Sequence, residues 1–207
     1  PARPSLESGK AWIREVRALA GPDLVRRVQR WAFPLYAELV SVALESDEPG
    51  SPEALVQRLR KMPATGLHRR LVGADSPLSR SMVPSGAFDR AIAGSTVARA
   101  EIRRALALNP PARQGLDRLF ETPAKVVQRE VAAVVGEWAK RVSPSFASRS
   151  LELIERDIVP KEGLLRVTSA RDALRVFTRG VDIDPTDWAN EIIVVPTVAM
   201  RPFMAPV

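Results

Sequence analysis

The sequence predicts a mainly α protein, a multi-helix bundle with a small C-terminal β-hairpin or two-stranded β element. Three observations predict it. Apolar residues recur at helical spacing through most of the first 178 positions. Hydroxyl–proline pairs stand where those helical stretches begin: Ser51-Pro52, Thr122-Pro123 and Ser143-Pro144. In each, the hydroxyl is placed to accept an orphan backbone N–H, and proline loses nothing at the first helical position. The pattern then changes after Gly180, where Val181 and Ile183 alternate with Asp182 and Asp184, and a β-branched run follows at Ile192–Val195.

Taken in order, Trp12/Ile13, Val16 and Leu19 predict a helix near 9–20. Gly21-Pro22-Asp23 restarts the pattern, and Val25, Val28, Ala32, Leu35, Leu39 and Val42 predict a second helix near 22–45, kinked or broken by Pro34. Leu55, Leu59 and Met62 carry a third, near 52–62. From Gly73 to Gly94 the chain is rich in Ser, Pro and Gly and reads as a loop with one short helix around Ala87–Ala93; Gly73 and Gly180 stand where helix C-caps fall. Ile102, Ala105 and Leu106 mark a helix near 96–108. The clearest stripe is Val127, Val131, Val134, Trp138 and Val142, a helix near 122–142. Leu151, Ile154 and Ile158 predict 145–158, and Ala170, Ala173, Leu174 and Phe177 predict 169–178. Strands are expected near 181–184 and 191–199. The organisation is thus a helical domain over 1–178 followed by a short β segment over 179–207. Two short strands are marginal alone in water, so that segment needs helices or another chain to bury against.

Composition bounds the function. The 207 residues suffice for one good core. There are no cysteines and one histidine, His68, so disulfides, thiolate metal sites and ordinary zinc coordination are excluded. No apolar run reaches bilayer length and the first residues lack a secretory pattern, so a cytoplasmic protein without membrane contact is expected. The net charge of +7 is confined to residues 1–120, with 19 Lys+Arg against 12 Asp+Glu. It falls in clusters: Arg26, Arg27 and Arg30; Arg58, Arg60 and Lys61; Arg69 and Arg70; Arg103 and Arg104. Such clusters attract phosphates or acidic surfaces, and solvated helix faces are the plainer reading. Arg26, Arg27 and Arg30 are the candidate nucleic-acid contacts.

No catalytic pattern stands out. Nothing around His68 resembles a nucleophile elbow, and a surface or groove histidine is expected. Asp182, Asp184, Asp187 and Glu191 form the densest carboxylate group, without the glycine-centred loop of a calcium site, and read as a solvated face. No glycine-rich phosphate loop follows a strand. No catalytic residue, metal ligand or cofactor is therefore assigned. Thr96–Leu108, Asn109-Pro110-Pro111 and Ala112–Phe120 read as helix, turn, helix; a structural hairpin is favoured over a recognition helix because the turn holds two prolines and Gly115 interrupts the second helix. Trp31, Phe33 and Tyr36 are dense enough to line a pocket, and with Trp138 they are the candidate ligand-binding residues, although core packing is the commoner role for three aromatics near a helix kink.

The order of features resembles one family. A helix ends in Phe177-Thr178-Arg179-Gly180; then come Val181-Asp182-Ile183-Asp184-Pro185, a turn, and Ile192-Ile193-Val194-Val195-Pro196-Thr197-Val198-Ala199-Met200-Arg201-Pro202. This resembles the helical regulatory region of an actinobacterial and chloroflexal branch of ArsR-like transcriptional regulators. Residues 179–203 match at motif level, the rest by organisation. The resemblance implies a bacterial sensor or dimerisation region, responsive to a small-molecule effector or forming a homodimer, that reaches DNA only through a winged helix-turn-helix not found in these 207 residues. The cysteine and histidine ligands of metal-sensing relatives have no counterpart here. A stand-alone helical interaction module with a basic face is the alternative.

Overall fold

The computed structural model describes residues 9–46, 48, 51–107, 110–163 and 167–177; within its helices the side chains of 9–12, 32–37, 77–78, 111, 148–150, 153, 157, 160, 170, 174 and 177 are not described. Among the described residues the chain is mainly helical. It forms α1 (Gly9–Leu44), α2 (Pro52–Lys61), α3 (Ala64–Leu71), α4 (Pro77–Met82), α5 (Ala87–Ile92), α6 (Thr96–Ala105), α7 (Pro110–Glu121), α8 (Ala124–Arg141), α9 (Ser143–Glu162) and α10 (Ala170–Phe177). The expected strands at 181–184 and 191–199 lie outside the described residues. No helix among the described residues is long and apolar enough to cross a membrane.

The described residues divide into two compact units, Arg17–Arg141 and a second that joins those up to Val16 with those from Val142 onward. In the first, α2 and α3 pack on α8, and α5 packs on α6. The stripe read from the sequence is the reason: Val127, Val131 and Val134 of α8 are buried, and so are Val56 and Leu59 of α2 and Leu67 and Leu71 of α3. Gly136 of α8 faces α2, where a Cβ would stand in ordinary van der Waals contact with the Val56 methyls, at 3.7 and 3.8 Å. In the second unit, Val142, Phe146 and Ala173 are buried, while Leu151, Val159, Val167 and Val176 are exposed.

Several local expectations need correction. The two N-terminal helices form one helical span, Gly9–Leu44, but Gly21 within it has φ +73°. That left-handed residue is the conformation glycine supplies at a helix end, so the junction read from Gly21-Pro22 is present as a joint rather than a gap. Pro34 does not break α1. It has no N–H to give the carbonyl four residues back, at Arg30. That carbonyl instead accepts from Arg118 Nη1 of α7 at 2.7 Å.

The segment from Gly73 to Gly94 is more helical than expected. Ser76 caps α4 by accepting from Ser79 N–H at 3.4 Å, the same device as Ser51 accepting from Ala54 N–H at 3.2 Å in α2. Between the expected helices lies α3, closed at its end by Gly73 (φ +82°), with Ala74 N–H donating to Arg69 O and Gly73 N–H to Arg70 O. That pair is a Schellman closure. The helix expected to reach 108 ends at Ala105, and Ala107 at φ 45° turns the chain. Thr122 does not cap α8: its hydroxyl donates back to Arg118 O at 2.7 Å, and Pro123 O receives the first N–H groups, from Val126 and Val127. Ser143 likewise opens α9 without a side-chain cap.

Candidate functional site at the α1–α8 seam

Asp23, Arg27 and Trp31 recur every four residues along α1, which sets them on one face. Glu130, Glu137 and Arg141 share a face of α8 in the same way. The two faces meet. Arg27 Nη1 pairs with Glu137 Oε1 and lies 4.0 Å from Asp23 Oδ2. Glu137 also holds Arg141, Nη2 to Oε2 3.6 Å, and Arg141 Nη1 donates to Ala20 O at 3.1 Å beside the Gly21 joint. Farther along α1, Trp31 Nε1 donates to Glu130 Oε2 at 3.2 Å. Contacts that rise along α1 (20, 27, 31) fall along α8 (141, 137, 130), so the helices run antiparallel. The seam has an ion pair at one end and a buried indole at the other.

The predicted ligand residues are placed as follows. Trp31 is 3% exposed, its indole N–H committed to Glu130 and its ring 5.6 Å from the Arg30 guanidinium carbon. Trp138 is half-buried on α8, eight residues beyond Glu130, or about 12 Å along the helix axis. Phe33 and Tyr36 lie on α1 at positions whose side chains are outside those described. Of the predicted nucleic-acid contacts, Arg27 is turned into the seam, Arg26 is exposed and pairs with Asp23 at 3.3 Å, and Arg30 lies over Trp31.

The other basic clusters are partly neutralised within the fold. Glu45 at the end of α1 takes Arg70 at 2.8 Å and Arg58 at 3.3 Å, and Arg69 holds Asp89 together with Asp75 at 3.6 Å. Hydrogen bonding from Arg70 is the main reason the Glu45 carboxyl titrates below its ordinary value. Glu38, seven residues earlier along the same helix face, is pushed up, because burial penalises its charge more than Arg70 relieves it. Arg103 meets Asp117 at 3.4 Å, joining α6 to α7. Arg99 donates to Ala91 O at 3.2 Å and Phe120 O at 3.0 Å, closing the ends of α5 and α7 at once.

His68 corrects an expectation. It is buried, with Nε2 2.8 Å from Leu119 O, so that nitrogen carries the proton, since a carbonyl only accepts. Its place is structural, bracing α3 against α7. Among the described residues no group of three or more metal-ligating side chains occurs; the carboxylates at 182–191 lie outside them.

Sequence reasoning missed Glu130 and Glu137. Their seven-residue spacing was visible, and so was the four-residue spacing of Asp23, Arg27 and Trp31. Nothing local says that these two helices face each other. No protein-family model matches the chain, no curated protein matches it, and no solved structure matches its fold.

Proposed function

We propose that this chain is the regulatory region of a bacterial transcriptional regulator of the ArsR-like kind, non-catalytic and without cofactor, acting in the cytoplasm as a sensor or dimerisation body. DNA would be read by a winged helix outside these 207 residues. The observation that supports the sensor role is the α1–α8 seam. A tryptophan almost wholly removed from water is held there by a single carboxylate between two antiparallel helices. Polar contacts between packed helices have discrete alternatives, so an apolar or aromatic effector that displaces Trp31 from Glu130 would shift α1 along α8 and pass a change to whatever α1 and α8 lead to.

The experiment is a thermal-shift screen of small aromatic and apolar compounds, read together with Trp emission and sedimentation. A compound that raises Tm and moves the emission, with both effects lost in Trp31→Phe, supports the reading. No shift from any compound, with a monomer at every concentration, overturns it. A second reading, an interaction module with a basic face, is favoured by one observation: the cations at the α2–α8 junction.

A further inference from the structure

Most arginines of the Arg17–Arg141 unit that come near another element are used internally. Arg27, Arg58, Arg69, Arg70, Arg90 and Arg103 pair with carboxylates. At the junction of α2 and α8 this stops. Gln128 of α8 reaches Leu59 O at 2.8 Å and Met62 O at 2.6 Å, which brings the last turn of α2 against the first turns of α8. Arg60 and Lys61 stand in that last turn, and Lys125 and Arg129 flank Gln128 at one helical spacing from each other, about 5–6 Å between Cβ atoms. All four are exposed. None of the four side chains has a hydrogen bond or ion pair among the described residues. Of the neighbouring carboxylates, neither Glu121 nor Glu130 forms an ion pair with any of the four, and Glu130 accepts from Trp31.

Four like charges thus stand exposed on the two helix ends that Gln128 joins, a concentration of positive charge that an anionic partner would relieve. We propose that this surface, Arg60, Lys61, Lys125 and Arg129, binds an acidic segment of a partner protein. The patch is short. Tight duplex binding draws on about six to ten neutralised phosphates. Here the cationic surface cannot extend through Arg58 or Arg70, which Glu45 already occupies. No aromatic side chain stands among the four for bases to stack on. A run of several carboxylates matches the patch in both charge and extent. The proposal rests on the interaction-module reading only in requiring a partner; it does not involve the α1–α8 seam.

The test is fluorescence anisotropy of a labelled oligoglutamate peptide, and separately of labelled duplex DNA of arbitrary sequence, against the whole chain at low salt. The peptide should bind, and added salt should weaken it. Lys125→Glu/Arg129→Glu should weaken it at least about tenfold, and Arg60→Gln/Lys61→Gln, which reads the same surface from α2, by about threefold or more. Arg17→Glu/Arg104→Glu, matched in net charge and exposed elsewhere, should change it less than about twofold. Absence of peptide binding, or equal weakening by both charge-reversed pairs, overturns the proposal. Tighter binding of the duplex, lost in the same Lys125/Arg129 pair, overturns it in favour of a nucleic-acid surface. Failure of the peptide leaves the effector screen unaffected, and failure of the screen leaves the peptide result standing.

Discussion

Helices α8 and α9 are close in length, 18 and 20 residues, and both carry helical apolar periodicity, yet they are held differently. α8 belongs to the Arg17–Arg141 unit, buries its valine stripe, and takes side-chain contacts from residues as far away as Arg27 and Trp31. α9 belongs to the other unit, and Leu151 on its stripe is 57% exposed. The nearby α10 starts on a local device, Ser169 accepting from Asp172 N–H at 3.1 Å, and Val167 just before it is 78% exposed. Periodicity therefore makes a helix in both regions, but it buries the α8 valines while Leu151 of the α9 stripe stays exposed. The difference lies in whether other elements bring surface to the stripe.

The comparison is broken most directly in the core. Leu59→Ala, at a position fully removed from water, should cost about 2–5 kcal/mol in urea unfolding, whereas Leu151→Ala should stay within about 0.5 kcal/mol. Equal costs would show that the two units are held alike. Next comes Gln128, whose amide closes the end of α2. Gln128→Leu should cost about 1–3 kcal/mol by leaving the Leu59 and Met62 carbonyls short of a donor, and hydrogen exchange should show faster opening at the end of α2 than elsewhere.

A subtler test concerns Pro34. Arg118→Leu should cost about 1 kcal/mol, since Arg30 O loses its replacement donor. In a Pro34→Ala background, where a backbone N–H returns, the same change should cost little; a double-mutant cycle with no coupling would sink the explanation.

The smallest effect is a pH dependence with two opposed parts. The folded-state pKa of Glu45 lies below the ordinary 4.5, so its contribution is present above that value and lost as pH falls through the folded-state value. That of Glu38 lies above 4.5, so its contribution is present below 4.5 and lost as pH rises through the folded-state value. At neutral pH, Glu45→Gln should therefore destabilise, by under about 1 kcal/mol for so accessible a carboxylate, and Glu38→Gln should stabilise. Both differences should close on acidification, Glu38 first. Parallel stability–pH curves for the two variants and the parent would refute the assignment.

Much of the helical layout was legible in the sequence. Ser51-Pro52 and the α8 valines announce α2 and α8, since capping and periodicity are local. α4 was equally announced by Ser76-Pro77, but the Ser, Pro and Gly around it outweighed the cap. α3 was missed because it starts after Pro63 with no side-chain cap and spans only eight residues. The seam was half legible. Trp31 was identifiable as a dense aromatic position, while Glu130 and Glu137 depend on which helix faces which, and that is a property of packing. The residues that carry the family resemblance, 179–203, lie outside the described structure, so the fold neither adds to that resemblance nor removes from it.

The ends of the helices carry a consequence for how the unit comes apart. Arg141 serves the joint at Ala20, Arg118 serves Arg30, Gln128 serves the end of α2, and Arg99 serves α5 and α7 together. Each donor is separated in sequence from the carbonyl it satisfies, in one case by 121 positions. Helices of six to twelve residues do not persist alone in water. Here the last turns of α2 and α7 also take donors from other elements, Gln128 of α8 and Arg99 of α6. The unit is therefore wired for all-or-none assembly: a fragment stopping before α8 would lack the donors for both the α1 joint and α2, and would fray at points remote from the cut.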